Sequence, residues 1–284
     1  MLCNLLQWVQ RIMNPSESDS RKPIGIFDSG VGGLTVLKQM LSCLPAERMI
    51  YLGDTARLPY GTKSRETVVK YSLKNASFLV GKGIKCLVVA CNTASSLALD
   101  TLRQSFPIPV LGVIRPGAER AARLTRRRKV GVIGTMATIR SKAYEDAICS
   151  FAGPIEVISV PCPLFVSLAE EGWTQDDVTY RVAERYLSPL RQRDVDVLVL
   201  GCTHYPLLKP VISSVMGDGV ALVDSAEEVA VQVGAVLDEM GLRNKGQGSP
   251  ESPKIYMTDC SAHFLELAEK ILGFPLTDFE YVDL

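Results

Sequence analysis

This 284-residue sequence predicts two α/β units with mainly parallel sheets, facing each other across a shared cleft. Three observations point there. Short apolar runs alternate with longer amphipathic stretches of helical period, which is the signature of βα units. Two of those runs end alike on a cysteine: Leu87-Val88-Val89-Ala90-Cys91-Asn92-Thr93 and Leu198-Val199-Leu200-Gly201-Cys202-Thr203-His204. Upstream, Ile24-Gly25-Ile26-Phe27-Asp28-Ser29 is echoed by Val130-Gly131-Val132-Ile133-Gly134-Thr135. Both pairs lie roughly 110 residues apart, as an internal duplication would place them.

In order along the chain, strands are expected at 24–27, 49–52, 86–90 and 109–113, then at 130–133, 155–160, 196–200 and 220–223. Helices are expected at 64–82, 94–105, 117–126, 138–151, 176–192 and 226–240. The run Lys254-Ile255-Tyr256-Met257-Thr258 and the helix after it are expected to return to the first unit and make it discontinuous. The domains are therefore read as 23–115 with 225–284, and 116–224, with Pro and Gly around 107–117 and 217–225 marking the crossings. Residues 1–22, ending in Asn14-Pro15-Ser16-Glu17-Ser18-Asp19-Ser20, read as a flexible extension, with Met13 as an alternative start.

Composition narrows the function classes. Lys plus Arg and Asp plus Glu both number 31, so no global field favours nucleic acid or an anionic membrane. The local run Arg126-Arg127-Arg128-Lys129 reads as a solvated helix end whose charges suit the dipole. No stretch approaches the roughly 18 apolar residues of a membrane span, and Leu5-Leu6-Gln7-Trp8-Val9 is too short and too polar for a signal peptide. Eight scattered cysteines without a CxxC pair indicate a reducing, cytoplasmic setting.

In open parallel sheets ligands collect beyond the carboxyl ends of strands. Asp28-Ser29, Cys91-Asn92-Thr93, Gly134-Thr135 and Cys202-Thr203-His204 all stand at such ends. The turn Asp28-Ser29-Gly30-Val31-Gly32-Gly33-Leu34 can bring backbone N–H groups to an anion. It fails the dinucleotide fingerprint, which would need glycine where Thr35 stands, and a carboxylate suits it better. A free cysteine titrates near 8.5, and a helix N-terminus or a protonated neighbour lowers that value, so Cys91 and Cys202 are expected to be activated thiols. One thiol can take a proton from one face of a carbon while the other returns a proton to the opposite face.

His204, two positions after Cys202, is placed to orient or exchange protons with it. Metal binding is the weaker reading, because Cys202, His204 and Cys91 lack the local ligand cluster of a zinc site. Tyr60-Gly61 follows the strand at 49–52, at the same sheet edge, and the Gly61 N–H suits a carboxylate. Glu170-Glu171-Gly172 offers a carboxylate from the second unit. The cysteines at 3, 43, 86, 149, 162 and 260 carry no such context, and His263 reads as a packing or surface residue.

These segments, with Tyr51-Leu52-Gly53-Asp54 through Pro59-Tyr60-Gly61 and Leu200-Gly201-Cys202-Thr203-His204-Tyr205-Pro206-Leu207, resemble the bacterial glutamate racemases of the aspartate/glutamate racemase superfamily. The likeness runs over nearly all of residues 23–275. It implies two pseudo-symmetric flavodoxin-like domains with the active site between them, and no cofactor, neither pyridoxal phosphate nor metal. It implies that Cys91 meets the α-proton of the D enantiomer and Cys202 that of the L enantiomer. Asp28 would assist the first thiol, and His204 with a glutamate the second. That glutamate maps to Glu170, with Glu171 one residue away. Asp28, Ser29, Tyr60, Gly61, Asn92, Thr93, Thr203 and His204 would hold the substrate. D-glutamate for peptidoglycan and a homodimer are further implications. The rivals are a racemase of another small acidic amino acid such as aspartate, and a ligand-binding or regulatory protein without turnover.

Overall fold

The computed structural model describes residues 17–246, 252–276 and 278–284. Residues 1–16 of the expected extension, with Cys3 and Met13, lie outside the described residues. Strands β1 (Ile24–Asp28), β2 (Met49–Gly53), β3 (Cys86–Val89) and β4 (Val110–Gly112) belong to one sheet. A second sheet contains β5 (Lys129–Gly134), β6 (Glu156–Pro161), β7 (Val197–Gly201) and β8 (Ala221–Asp224). Strands β9 (Lys254–Met257) and β10 (Phe279–Tyr281) extend the first sheet beyond β2. The orders are β10-β9-β2-β1-β3-β4 and β6-β5-β7-β8, with every pairing parallel.

The first four strands of each sheet are thus arranged alike, second-first-third-fourth, the flavodoxin-like order, in keeping with the flavodoxin-like domains that the resemblance implied. In each sheet the order reverses between the first and third strands. The first sheet's reversal lies between the ends of β1 and β3, at Asp28 and Cys91, and the second sheet's lies between the ends of β5 and β7, at Thr135 and Cys202.

Parallel strands covered by helices on both faces must be apolar throughout. Ile24, Ile26, Cys86 and Val88 bury into one cluster with helices Leu34–Cys43 and Ser225–Glu239, while Phe27, Leu87 and Val89 bury on the other face against helix Arg65–Gly81. The second sheet alternates in the same way, Leu198 and Leu200 on one side and Val197 and Val199 on the other. Side-chain caps start several of the helices. Ser64 accepts from Thr67 N, Thr135 from Thr138 N, Asp176 from Val178 N and Asp224 from Ala226 N.

Two expected helices are broken. The stretch 94–105 divides at Ala98 into Asn92–Leu97 and Leu99–Ser105, and 138–151 becomes Met136–Arg140 and Ala143–Ala152 because Lys142 takes the left-handed conformation (φ 58°). Part of the expected extension packs on the first unit: Glu17–Ser20 is a helical turn whose Ser20 carbonyl accepts from Lys85 Nζ at 2.5 Å. The buried ammonium of Lys85 also donates to Glu47 at 2.5 Å and to the Leu242 carbonyl at 2.8 Å, so three chain segments share one cation. Such a pair, lost on one side, would leave a buried charge uncompensated.

The chain passes to the second sheet between β4 and helix Ile114–Leu124, whose Ile114, Ala118 and Ala121 pack with Val130 and Val132. It returns between β8 and helix Ser225–Glu239. Among the described residues no helix is long and apolar enough to cross a membrane.

Candidate active site

A narrow cleft opens where the two sheets' strand ends meet. Ser29, Tyr60, Gly61, Cys91, Asn92 and Thr93 border it from the first sheet's loops, and Cys202, Thr203 and His204 from the second's. Nine of the residues named from sequence therefore come together. Asp28 and Glu170 do not line the cleft and stand behind its wall.

Cys91 caps helix Asn92–Leu97. Its Sγ accepts the Ala94 N–H at 3.5 Å, and its thiol donates to Ser29 Oγ at 3.6 Å. The expected lowering of its pKa is reversed. Burial, reinforced by the Asp28 charge, outweighs the Ala94 N–H and the Ser29 hydroxyl and pushes the thiol up to about 12. A helix of this length supplies only a partial charge, whereas full desolvation penalises a whole one.

Cys202 has a different surrounding. It is followed by a turn and the 3-10 segment Tyr205–Leu208, and its Sγ lies 3.8 Å from His204 Nδ1. The other ring nitrogen, Nε2, is 3.0 Å from Glu170 Oε1, so Glu170 rather than Glu171 reaches the histidine. Burial works against charging His204, but hydrogen bonds to Cys202 and Glu170 and the charges of both prevail and raise it to about 10. When protonated, the ring donates from both nitrogens, one toward sulfur and one toward the carboxylate.

Asp28, fully buried, accepts from the Gly30 and Gly33 N–H groups at 3.1 and 3.0 Å and from Thr203 Oγ1 at 3.4 Å. It shapes the glycine turn and ties it to the opposite unit, and it acts on Cys91 through its field rather than by a hydrogen bond. Burial raises its own pKa against the His204 charge and the backbone N–H groups. The turn must pass close to the second unit: a Cβ on Gly32 would stand 2.5 Å from Thr203 Oγ1 and 2.7 Å from His204 Nδ1.

The Tyr60 hydroxyl donates to Asp54 and accepts from Asn75 Nδ2 at 3.0 Å, so it is committed away from a ligand. Asp54 in turn holds Arg57 at 2.9 Å and Thr258 at 3.1 Å, which fixes the loop bearing Tyr60 and Gly61. His263 donates to the Glu170 carbonyl at 2.6 Å, a link between the units that sequence reasoning left as packing or surface. Among the described residues no three His, Cys, Asp or Glu side chains gather as metal ligands.

Sequence reasoning missed a hydroxyl trio. Thr93 Oγ1 lies 2.9 Å from Thr135 Oγ1 and 3.3 Å from Thr138 Oγ1, which are 3.0 Å from each other. Thr135 was placed at a strand end, but Thr138 sits one helical turn later and gives no signal until the units meet. A Cβ on Gly61 would press on Thr135 Cβ at 2.5 Å, so the loop and this trio are packed hard together.

The Asp/Glu/Hydantoin racemase family pattern matches residues 24–233. The glutamate racemase of Geobacter metallireducens is 56% identical over 265 residues, covering 93% of this chain and 97% of its own. A crystal structure of glutamate racemase from Francisella tularensis in complex with D-glutamate superposes with a TM-score of 0.87 at 40% identity, covering 93% of this chain and 98% of that one. The RacE1 isoform from Bacillus anthracis gives 0.89 at 37% identity with the same coverage.

Proposed function

Because the chain belongs to the Asp/Glu/Hydantoin racemase family, with relatives named glutamate racemase at up to 56% identity, we propose that it interconverts L- and D-glutamate by proton transfer between two cysteines. One observation carries the reading. Two thiols, each just past the third strand of its own sheet, border a single cleft, and only one of them has a histidine and a glutamate behind it.

From L-glutamate, Cys202 Sγ, with the His204 imidazolium compensating its negative charge, takes the α-proton. Cys91, held protonated by burial, gives its proton to the opposite face of the carbanion, and D-glutamate results. The roles exchange in reverse. The Cα–H and Cys91 S–H bonds break while the Cys202 S–H and new Cα–H bonds form, so protons and charge balance. Ser29, Asn92, Thr93 and Thr203, joined by Thr135, supply hydroxyl and amide groups for the carboxylates and amine, preorganised along the cleft wall. Tyr60 contributes its ring and backbone, and Gly61 its N–H, with Asp28 and Glu170 acting from behind.

By likeness to the family the enzyme works without cofactor, as a cytoplasmic homodimer, and supplies D-glutamate for peptidoglycan. Aspartate is the rival substrate, and the identity to glutamate racemases along most of the chain favours glutamate. The test is L-glutamate incubated with purified protein in deuterated water. Loss of the circular dichroism signal with deuterium at Cα is expected; a constant signal without exchange, alongside turnover of aspartate, would overturn the reading.

A further inference from the structure

Tyr144, on helix Ala143–Ala152 of the second unit, is 2% exposed and had no role in the sequence reading. Its hydroxyl donates to Asn92 Oδ1 at 2.7 Å, across the interface between the units and next to Cys91. The same oxygen lies 3.1 Å from Ser225 Oγ, at the point where the chain returns to the first unit. A carboxamide oxygen only accepts, so the single phenolic proton goes to Asn92, and Ser225 Oγ–H donates to the phenol.

The ring has equally pointed neighbours. A Cβ on Gly201, the residue before Cys202, would meet the Ile133 carbonyl oxygen at 2.6 Å and Tyr144 Cε2 at 3.0 Å, so the bare glycine lets both the neighbouring strand and this ring pack closely against that strand end. A Cβ on Gly117, in the first helix after the crossing from β4, would meet Ser225 Oγ at 2.4 Å and Tyr144 Cε1 at 3.6 Å. One buried side chain therefore touches the turns of both cysteines and both places where the chain changes units.

We propose that Tyr144 is a positioning residue for this reaction, whose hydroxyl fixes the Asn92 amide with its nitrogen toward the cleft while its ring registers the Cys202 turn. The proposal rests on the reading of the cleft as the glutamate site. With Oδ1 occupied by Tyr144, Nδ2 is the amide group left to meet a substrate carboxylate, and among the described residues no hydrogen bond claims it. Without the phenol the amide is free to turn its oxygen into the cleft, where it repels a carboxylate.

The experiment measures kcat and KM for L-glutamate, with melting temperatures, for wild type, Tyr144→Phe, Asn92→Ala, the double variant and Asn92→Asp. Tyr144→Phe keeps the ring against Gly201, and its KM is expected to rise about tenfold with kcat within about threefold. Acting through Asn92, it should add nothing to the KM of Asn92→Ala. Asn92→Asp retains the acceptor for Tyr144 and stays folded, but puts an anionic oxygen where the amide nitrogen stood, so its KM should exceed that of Asn92→Ala. An unchanged KM in Tyr144→Phe, multiplicative effects in the double variant, or Asn92→Asp binding as well as wild type would each overturn the proposal alone. A wild-type protein inactive on L-glutamate overturns both the proposal and the reading on which it rests.

Discussion

Cys91 and Cys202 follow equivalent strands of two sheets with the same order, yet their surroundings share almost nothing. Around Cys91 the partners are the Ala94 N–H, the Ser29 hydroxyl that accepts from the thiol, and the charge of Asp28, and burial holds the thiol up to about 12. Beside Cys202 stands a histidine raised to about 10 and backed by Glu170. The matched backbone is what an internal duplication would leave; the difference lies in side chains brought from elsewhere, Glu170 from helix Leu164–Glu170 and Ser29 from the glycine turn. The lesson is that a symmetric frame can give its two sulfurs unlike surroundings, as the proposed proton relay between two faces would use.

The comparison can be broken most forcefully by removing either sulfur. Cys91→Ala and Cys202→Ala should each lower racemisation in both directions by about 10²–10⁴-fold. They should differ in α-proton exchange in deuterated water: any residual exchange should belong to L-glutamate in Cys91→Ala and to D-glutamate in Cys202→Ala. Near-normal turnover in either variant would end the two-base account.

Next comes the support of His204. Glu170→Gln removes one of the influences that raise it, so the alkaline limb of the rate profile should move toward neutrality and kcat near about pH 9 should fall. The sign for stability follows the same shift. A histidine raised from 6.5 to about 10 contributes stability fully present below 6.5 and lost as pH climbs through about 10, so the deficit of Glu170→Gln should be largest near 6.5 and vanish above 10. Urea midpoints across that range check it, and the reverse trend would refute it.

Smaller effects separate the two sides. Gly32→Ala pushes on Thr203 and His204 and should mainly lower kcat, whereas Gly61→Ala pushes on Thr135 and should mainly raise KM, each at a cost of about 1–3 kcal/mol in stability. Kinetics with melting temperatures would show whether the split holds. Least of all, Thr138→Val deletes one hydroxyl of the trio and should raise KM about fivefold with kcat intact, the worth of one hydrogen bond. Equal losses in kcat would place the trio in the chemical step.

The alternation of apolar runs and amphipathic stretches predicted the parallel sheets because burial on both faces leaves a plain mark on composition. Strand-end residues such as Ser29, Cys91 and His204 were readable as site candidates for the same reason, since position along a βα unit settles where they emerge. Thr138 and Tyr144 were not, because their roles arise from contacts across the two units and leave no local pattern. The sense of the Cys91 shift was also misread. A helix N-terminus is visible in sequence, whereas the depth of burial that overrides it is a property of the assembled fold.

The second sheet is built from one continuous stretch of chain, while the first needs β9 and β10 and helix Ser225–Glu239 from its far end. On a ribosome, which delivers the N-terminus first, the later-encoded half can therefore complete its fold before the earlier one. The turn carrying Cys202 can take shape while β1 and β3 still await the helix that covers them. Order of synthesis and order of completion run opposite ways in this molecule, and the first unit's half-covered strands are the stage at which a nascent chain would be most exposed to misassociation.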